Sequence, residues 1–415
     1  MKIKCTVLIL STLCVFLCAA SAQSYSLNAL LSHINKDSLK RTVRDMESFE
    51  SRLCTKTEGQ NRKVAQYLVD RLKKYGIENA RIDSFYIECI GFDPSCYRPA
   101  IGEYAQYMYN VIGTLYGTGA TDSTVIIGAH LDAISYTGYW PYVSLTETAP
   151  GADDNATGCA VMIEMARIMF EKKAKPHHNI DFMAYDAEEI GLKGAYYDAE
   201  KRKEANENII VMLNNDMVGN QAENKPRKVS LRWYENSLDI TEKAEEMLYK
   251  YTSVTPIRSE TPNSAGSDSY AYFKSGYEVN FAIEEDFTIH YHSVNDVTDS
   301  LNFEFCRQIA IMNFALLDYY AGINLPLSIK HYNPNPEHSI AVYPNPVKET
   351  IYFRINNDVT VDKIEIYDVM GKLMFSESAQ IHQFHSIPLH HFNKGLYVVR
   401  ISTNKGIVNK KIIKN

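Results

Sequence analysis

The stretch NIDFMAYDAEEIGLKGA, residues 179–195, decides the fold class of this chain. It begins with a nearly continuous apolar run, which is typical of a strand covered on both faces of a sheet. Two adjacent carboxylates, Glu188 and Glu189, follow soon after the run. A solvated helix N-terminus would also favour such acids through the helix dipole, so this stretch alone indicates a buried strand but not a site.

Segments on both sides repeat the alternation of buried strand and helix. Residues 208–216, NIIVMLNND, form a second continuous apolar run, and residues 123–130, STVIIGAH, read as another strand. Residues 157–173 and 303–322 place apolar side chains at helical spacing. Strands alternating with helices predict an α/β domain whose mixed sheet is sandwiched between helices.

The pattern changes near residue 325. Residues 326–338 contain several prolines and no helical or strand period, which indicates a linker. From residue 339 to residue 415 the chain reads as short strands separated by turns. This second region is therefore predicted to be a small all-β sandwich domain.

The N-terminus has the form of a secretory signal peptide. A short basic start precedes an apolar run that ends in Ala-Ser-Ala before Gln23. The run is short for a membrane-spanning helix. We therefore expect a signal peptide over residues 1–22 and an α/β domain over residues 23–325.

Composition bounds the class of protein. The chain has 415 residues, of which 45% are hydrophobic and 22% charged, and this suits a globular protein of two domains. Its formal net charge of -7, without any basic stretch, argues against nucleic acid as a partner. The sparse cysteines beyond the signal peptide do not make a disulfide scaffold, although Cys89 and Cys96 flank a loop that a disulfide would close.

Ionisable side chains gather at or just beyond the ends of the predicted strands, where α/β folds build their sites. Imidazoles and carboxylates without cysteine suit a catalytic zinc site with open positions. The charges of two zinc ions are balanced by three carboxylates and one hydroxide, which leaves one glutamate free as a base. The candidate residues are His130, Asp132, Asp153, Asp154, Glu188, Glu189, Asp216, His290, His292 and Asp296.

The motifs GAHLD, GADDNATG, AEEIGLKG, NNDMVG and YHSVNDVTD occur in this order within residues 110–320. In this they resemble the secreted co-catalytic zinc aminopeptidases, which are related to bacterial leucyl aminopeptidases and glutamate carboxypeptidase. The resemblance implies two Zn²⁺ ions per chain and hydrolysis of N-terminal residues from peptides with free N-termini.

Carried over residue by residue, the resemblance implies five metal ligands. His130 and Asp216 would bind one zinc, and Glu189 and His292 would bind the other. Asp154 would bridge the two ions. His290 lies outside the family pattern, and Asp153 would be a neighbour of the site without being a ligand.

The resemblance also implies residues that act without binding metal. Glu188 would be the general base, and Tyr291 would donate a hydrogen bond to the oxyanion. Asp132 would orient the ring of His130, and Asp296 would support His292. Residues 133–153, which are rich in aromatics, depart from the simplest family pattern. They would form either a packed surface loop or a lid or wall of the side-chain pocket that favours apolar or aromatic N-terminal residues.

The C-terminal region has a resemblance of its own. The segments VYPNPVKETIYFRI, IEIYDVMGKLMF and GLYVVRISTNKGIVNKKIIK look like the C-terminal sorting domain of type IX secretion. The resemblance implies export across the outer membrane, through contact of residues 339–415 with the secretion machinery. The protein would then be secreted or held at the cell surface. A generic carbohydrate-binding β-sandwich is the alternative.

Two other functions remain open for the α/β domain. A glutaminyl cyclase on the same fold would use one zinc and share several ligands. A non-catalytic binding module would keep the fold but would be expected to have lost ligands. The DDNATG loop and Asp216 favour two metals and hydrolysis over the cyclase, and the presence of every expected ligand argues against the binding module.

Overall fold

The computed structural model describes residues 27–53, 60–89, 102–120, 122–138, 142–222, 224–324, 340–355, 359–381, 384–404 and 406–415. The predicted signal peptide and linker lie outside these ranges, as does Cys96, the predicted partner of the disulfide-bonded Cys89. The described residues divide into two compact units, one within residues 1–327 and one within residues 328–415.

The first unit alternates helices and strands along the chain. Its elements are α1 Leu27–Leu31, α2 Lys36–Glu47, α3 Gln60–Lys74, β1 Arg81–Cys89, β2 Tyr104–Leu115, β3 Thr124–His130, α4 Gly158–Glu171, β4 Asn179–Tyr185, α5 Lys193–Glu204, β5 Ile209–Asn215, β6 Lys228–Arg232, α6 Leu238–Tyr251, β7 Thr255–Arg258, α7 Ser269–Lys274, β8 Val279–Glu284 and α8 Phe303–Ala321. A wide helical turn over Ala152–Thr157 precedes α4, and a short 3-10 turn over Thr298–Ser300 precedes α8.

The described strands of this unit form one eight-stranded sheet in the order β1-β2-β4-β3-β5-β8-β6-β7. Strands β4, β3, β5 and β8 run parallel to one another in its centre. Strands β2 and β6 join this centre antiparallel, one on each side. Every residue of β3 is buried, as expected for a strand covered on both faces.

Helices cover both faces of the sheet. The larger core contains Leu39, Met162 and Phe314 of α2, α4 and α8, together with Phe182 of β4. The core on the opposite face contains side chains of α5 and α7, including Tyr272. The mixed sheet between two helical layers confirms the fold class expected from the sequence.

The second unit is built entirely from antiparallel strands in its described residues. These are β9 Ile340–Tyr343, β10 Thr350–Ile355, β11 Val361–Asp368, β12 Leu373–Ile381, β13 Phe384–Pro388, β14 Gly395–Thr403 and β15 Gly406–Lys414. They form a three-stranded sheet, β13-β10-β9, and a four-stranded sheet, β12-β11-β14-β15. Side chains of both sheets, such as Phe353 and Val399, share one core, so this unit is a sandwich.

Three strands of the structure were not predicted from the sequence: β6, β7 and β13. Each has only four or five residues. A period of two is poorly defined over so few residues, and the pairing partners of β6 and β7 lie far along the chain. Among the described residues, no helix has the length and apolar character needed to cross a membrane.

Because each unit has its own core, we expect a cavity in one core to destabilise that unit alone. Phe182→Ala and Phe353→Ala both truncate a fully buried ring, and each should lower the free energy of unfolding of its unit by about 3–5 kcal/mol. The measurement is denaturant unfolding of the two variants, with intrinsic fluorescence and circular dichroism as probes. A single transition shifted equally by both substitutions would contradict the independence of the two cores.

Candidate metal centre

The site lies at the carboxyl edge of the parallel strands. His130 is the last residue of β3, and Asp216 directly follows β5. Glu188 and Glu189 follow β4 by three and four residues. Since the carboxyl ends of parallel strands meet at one edge, the sheet brings these side chains together from distant parts of the chain.

Sharp turns carry several of these side chains. Ala187, Met217 and His292 have φ values of 62°, 52° and 49°, in the left-handed region that few residues other than glycine occupy. Two of them lie beside the glutamate pair and beside Asp216. Such backbone conformations are found where a structure fixes a side chain for function.

Asp154 lies between the two histidines. Its Oδ1 is 3.1 Å from Nε2 of His130, and its Oδ2 is 2.9 Å from Nε2 of His292. Burial alone would raise the pKa of Asp154, but its contacts with the two imidazoles hold that pKa well below the usual range. The carboxylate is therefore held in its charged form.

Two groups of metal-ligand type share Asp154. In the first, Oδ1 of Asp216 lies 3.4 Å from Nε2 of His130. In the second, Oε2 of Glu189 lies 2.9 Å from Nε2 of His292. Within each group the candidate ligand atoms lie within 4.8 Å of one another. The sequence assigned these five residues to two metals in the same division, and their metal binding stays a prediction.

The residues fit a metal in one further respect. Oε1 of Glu189 is buried and, among the described residues, has no hydrogen-bond partner. Burial raises the pKa of this glutamate to about 7. A buried carboxylate oxygen with nothing to neutralise it is costly, and a divalent cation between these oxygen and nitrogen donors removes that cost.

Glu188 stands beside the two groups and lines the same cavity. Its side chain is only partly buried, unlike that of Glu189. Its backbone N–H donates to Oδ1 of Asp132 at 3.1 Å, and the N–H of Glu189 donates to Oδ2 of the same carboxylate at 3.2 Å. A carboxylate oxygen of Glu188 also lies within 4.8 Å of candidate ligand atoms of His130 and Glu189.

Asp132 also faces the ring of His130. Its Oδ1 lies 3.5 Å from Nδ1 of His130, and its backbone carbonyl lies 3.1 Å from the same nitrogen. With Nδ1 directed at Asp132, the Nε2 atom of His130 is turned toward Asp154 and Asp216. The orienting role of Asp132 stays a prediction.

Asp296 has a different role from the one expected. Its Oδ1 and Oδ2 accept the backbone N–H groups of Asp153 and Asp154, at 2.8 Å and 3.1 Å. Both oxygens are thus committed to the turn that carries Asp154, and Asp296 supports that turn instead of the His292 ring. Asp153 points away from the metal groups, and its Oδ1 accepts the N–H of Gly219 at 2.8 Å.

Tyr291 lies on the outer side of the site. Its ring stacks on that of His292, with 3.6 Å between centroids, and it meets Phe287 edge to face at 4.8 Å. The side chain lines the cavity and remains partly exposed. His290 belongs to neither metal group within the described part of the chain.

The cavity beside the metal groups has a volume of about 310 Å³. The carboxylates of the candidate site line part of it, and most of the remaining side chains that line it are apolar or aromatic. No described residue of 133–153 lines it, because Ile134 and Val143 of that segment pack with Leu53 in a small core of their own. Tyr136 of the same segment meets the ring of His292 edge to face, with 4.7 Å between centroids, so the pocket-wall interpretation stays a prediction. The lining residues other than the candidate ligands and Glu188 are Met217, Arg232, Ser264, Gly266, Phe281, Ile283, Phe287 and Tyr291.

Three residues near the site escaped the sequence analysis: Arg52, Arg232 and Asp268. Arg52 is fully buried and donates to the backbone carbonyls of Leu131, Pro150 and Gly151. It thereby joins the turn after β3 to the turn before Asp154. An isolated arginine in a sequence looks like a surface residue, so no local signal indicates this role.

Asp268 is fully buried at the start of α7. Within the described ranges neither of its carboxylate oxygens has a hydrogen-bond partner, and burial raises its pKa well above the usual range. Arg232 lines the cavity at the end of β6. A sequence search for charged residues after every strand would have found Arg232, had β6 itself been recognised.

Family models match both units of the chain. The model described as Peptidase family M28 matches residues 110–317, which is half of the chain. The model described as Secretion system C-terminal sorting domain matches residues 341–415. Both resemblances inferred from the sequence are confirmed.

Individual relatives agree with these matches. A probable leucine aminopeptidase of Arthroderma otae is 28% identical over 286 residues, covering 66% of this chain and 69% of the relative. The LapA aminopeptidase of Legionella pneumophila has a TM-score of 0.57 at 20% identity, covering 72% of this chain and 75% of LapA. A glutaminyl cyclase of Bacteroides thetaiotaomicron has a TM-score of 0.53 at 18% identity, covering 68% and 97%. The two structures show the shared fold.

Arg52→Met should destabilise the first unit and disturb the metal groups. The substitution removes the guanidinium donor from the carbonyls of Leu131, Pro150 and Gly151, of which Gly151 keeps the N–H of Ala156, and we expect the free energy of unfolding to fall by about 3 kcal/mol or more. Urea unfolding and zinc content per chain are the measurements. Arg44→Met is the matched control, because Arg44 forms only an exposed ion pair with Asp299 and should leave both measurements nearly unchanged. Equal effects of the two substitutions would contradict the role of Arg52.

Proposed function

The chain belongs to peptidase family M28, and from this premise we propose that it is a zinc-dependent aminopeptidase that removes N-terminal residues from peptides. The observation that carries the proposal is the pair of ligand groups that share Asp154 beside a cavity. His130, Asp154 and Asp216 would hold one Zn²⁺, and Asp154, Glu189 and His292 would hold the other. When bound, the ions would supply Lewis-acid activation of the attacking water and of the scissile carbonyl.

Glu188 would be the residue that moves the proton. It lines the cavity, and the two adjacent N–H contacts with Asp132 fix the backbone that carries it. Burial raises the pKa of Glu188 above that of an ordinary glutamate. A glutamate with a raised pKa can accept a proton from the attacking water and return it to the leaving amine.

The shape of the cavity supports action at a chain end. A volume of about 310 Å³ is at the lower end of the range of small-molecule pockets and suits a single residue. The metal groups and Glu188 line it together with the apolar side chains, so one bound residue would place its peptide bond beside Glu188. Tyr291, whose ring stacks on that of His292, would donate its hydroxyl to the oxyanion.

The second unit supports a location outside the cell. The chain carries a secretion system C-terminal sorting domain over residues 341–415. We infer that a signal peptide over residues 1–22 directs the first export step and that the sorting domain engages the type IX machinery at the outer membrane. The substrates would then be extracellular peptides with free N-termini.

Substitution of the two adjacent glutamates should separate the base from the ligand. Glu188→Gln should retain both zinc ions and lose turnover by about 10²–10⁴-fold, because the proton acceptor is gone. Glu189→Gln should lose one of the two zinc ions, because an amide is a weaker ligand than a carboxylate. Zinc per chain by mass spectrometry and peptide turnover are the measurements. Unchanged turnover in the Glu188 variant would remove this residue from the mechanism.

The proposed reaction is tested with a mixed peptide pool presented with free and with acetylated N-termini. The products formed by the purified protein are identified by mass spectrometry. We expect stepwise loss of N-terminal residues from the peptides with free N-termini alone. Internal cleavage of both sets would point to an endopeptidase instead. Cyclisation of N-terminal glutamine without cleavage would establish the glutaminyl cyclase alternative, and an unaltered pool with little bound zinc would favour a binding module.

A further inference from the structure

Arg232 is the one cation among the described residues that line the cavity. It ends β6, and its side chain is partly buried. Among the residues that the structure describes, no carboxylate forms an ion pair or hydrogen bond with its guanidinium. The carboxylates of the cavity's inner wall contact the two histidines instead.

The sheet fixes the direction of this side chain. Arg232 lies directly opposite Phe281 in the antiparallel pairing of β6 with β8. Directly opposed residues project to the same face of a sheet, and residues two apart on one strand do the same. Arg232, Phe281 and Ile283 therefore share the face that lines the cavity.

The surroundings of Arg232 are held by hydrogen bonds. Directly after Arg232, the carbonyl of Trp233 accepts the N–H of Asn263 at 2.9 Å. The hydroxyl of Tyr234 donates to the carbonyl of Ser264 at 2.7 Å. The turn that supplies Ser264 to the cavity wall is thus fastened to the segment after β6, so the arginine stands in a defined pocket.

A partly buried guanidinium without an acid partner has lost some hydration and gained no ion pair. Its planar fork matches a carboxylate, which can accept two parallel N–H bonds. A glutamate side chain carries its carboxylate beyond two methylene groups. Those methylenes would pack on Phe281 and Ile283, and the carboxylate would meet Arg232.

We propose that Arg232 binds the side-chain carboxylate of an N-terminal glutamate or aspartate and makes this enzyme selective for acidic N-terminal residues. The proposal rests on the proposed aminopeptidase function. The competing arrangement has the guanidinium turned to solvent over an apolar pocket, and it would favour leucine.

The first test compares kcat/KM for anilides of glutamate, glutamine and leucine. Such anilides have no C-terminal carboxylate, so any effect of Arg232 on them comes from the side chain. The glutamate anilide should exceed the glutamine anilide by about tenfold or more in the unaltered protein, which is the size of a charge-assisted hydrogen bond. Arg232→Met should reduce this ratio to about one, and a far-ultraviolet circular dichroism spectrum like that of the unaltered protein reports that the variant is folded.

Two further variants separate recognition from a general loss of charge. Arg258→Met removes a cation from the neighbouring strand β7, where Arg258 pairs with Glu245 and lies outside the cavity lining. It should leave the glutamate-to-glutamine ratio unchanged. Arg232→Glu should reverse the preference toward an N-terminal lysine, which a purely structural arginine would not do.

A binding measurement keeps this test separate from the test of the reaction. Calorimetry on the zinc-loaded Glu188→Gln variant would compare free glutamate with free glutamine, before and after the additional Arg232→Met substitution. Tighter binding of glutamate that depends on Arg232 supports the proposal even if no anilide is cleaved, an outcome that would defeat only the aminopeptidase assignment. A ratio near one in the unaltered protein, or a ratio that Arg232→Met does not change, overturns the proposal.

Discussion

Each oxygen of the Asp154 carboxylate contacts the Nε2 atom of a different histidine, and the remainder of the site depends on this placement. Asp296, in the loop before α8, accepts the backbone N–H of Asp154. Arg52 holds the preceding residues from the N-terminal side. Segments separated by more than two hundred residues must therefore be packed correctly before the carboxylate can stand between its two partners.

Several carboxylates are buried close together at this edge of the sheet, and their negative charges need additional positive charge to be balanced. Burial raises the pKa of Glu189 to about 7 and that of Asp296 to about 8, because carboxylates that lose water favour their neutral forms. Divalent cations at the shared groups would supply the missing charge. Packing of the two helical layers, which excludes water from the sheet, is what makes the requirement so strong.

The parts of the molecule that follow from local patterns could be predicted from the sequence. Continuous apolar runs mark β4 and β5, and the carboxylates after them mark the site edge, since parallel strands end together. The partner of Asp296 could not be predicted, because a carboxylate four residues from the imidazole of His292 has no fixed geometry in a loop. Arg52 acts through backbone carbonyls, which have no signature in a sequence.

The missed strand β6 illustrates a different limit. Its five residues acquire their regularity only from pairing with β8, which lies about fifty residues further along the chain. A short strand of this kind, which lies between β8 and β7, is defined by its neighbours more than by its own residues. Because β6 was not predicted, Arg232 at its end was not recognised as a residue at the end of a strand.

The antiparallel strand β6 separates the wall of the cavity from the candidate metal ligands. The candidate metal ligands come from the turns after the parallel strands and from the loop before α8, whereas β6 contributes a wall of the cavity and none of the ligands. Under the proposed selectivity, a substitution at the end of β6 would change which N-terminal residues the cavity accepts and would leave the candidate metal ligands in place. Substrate selectivity and reaction chemistry would thus depend on residues of different strands, and natural variation could alter the selectivity without changing the metal ligands.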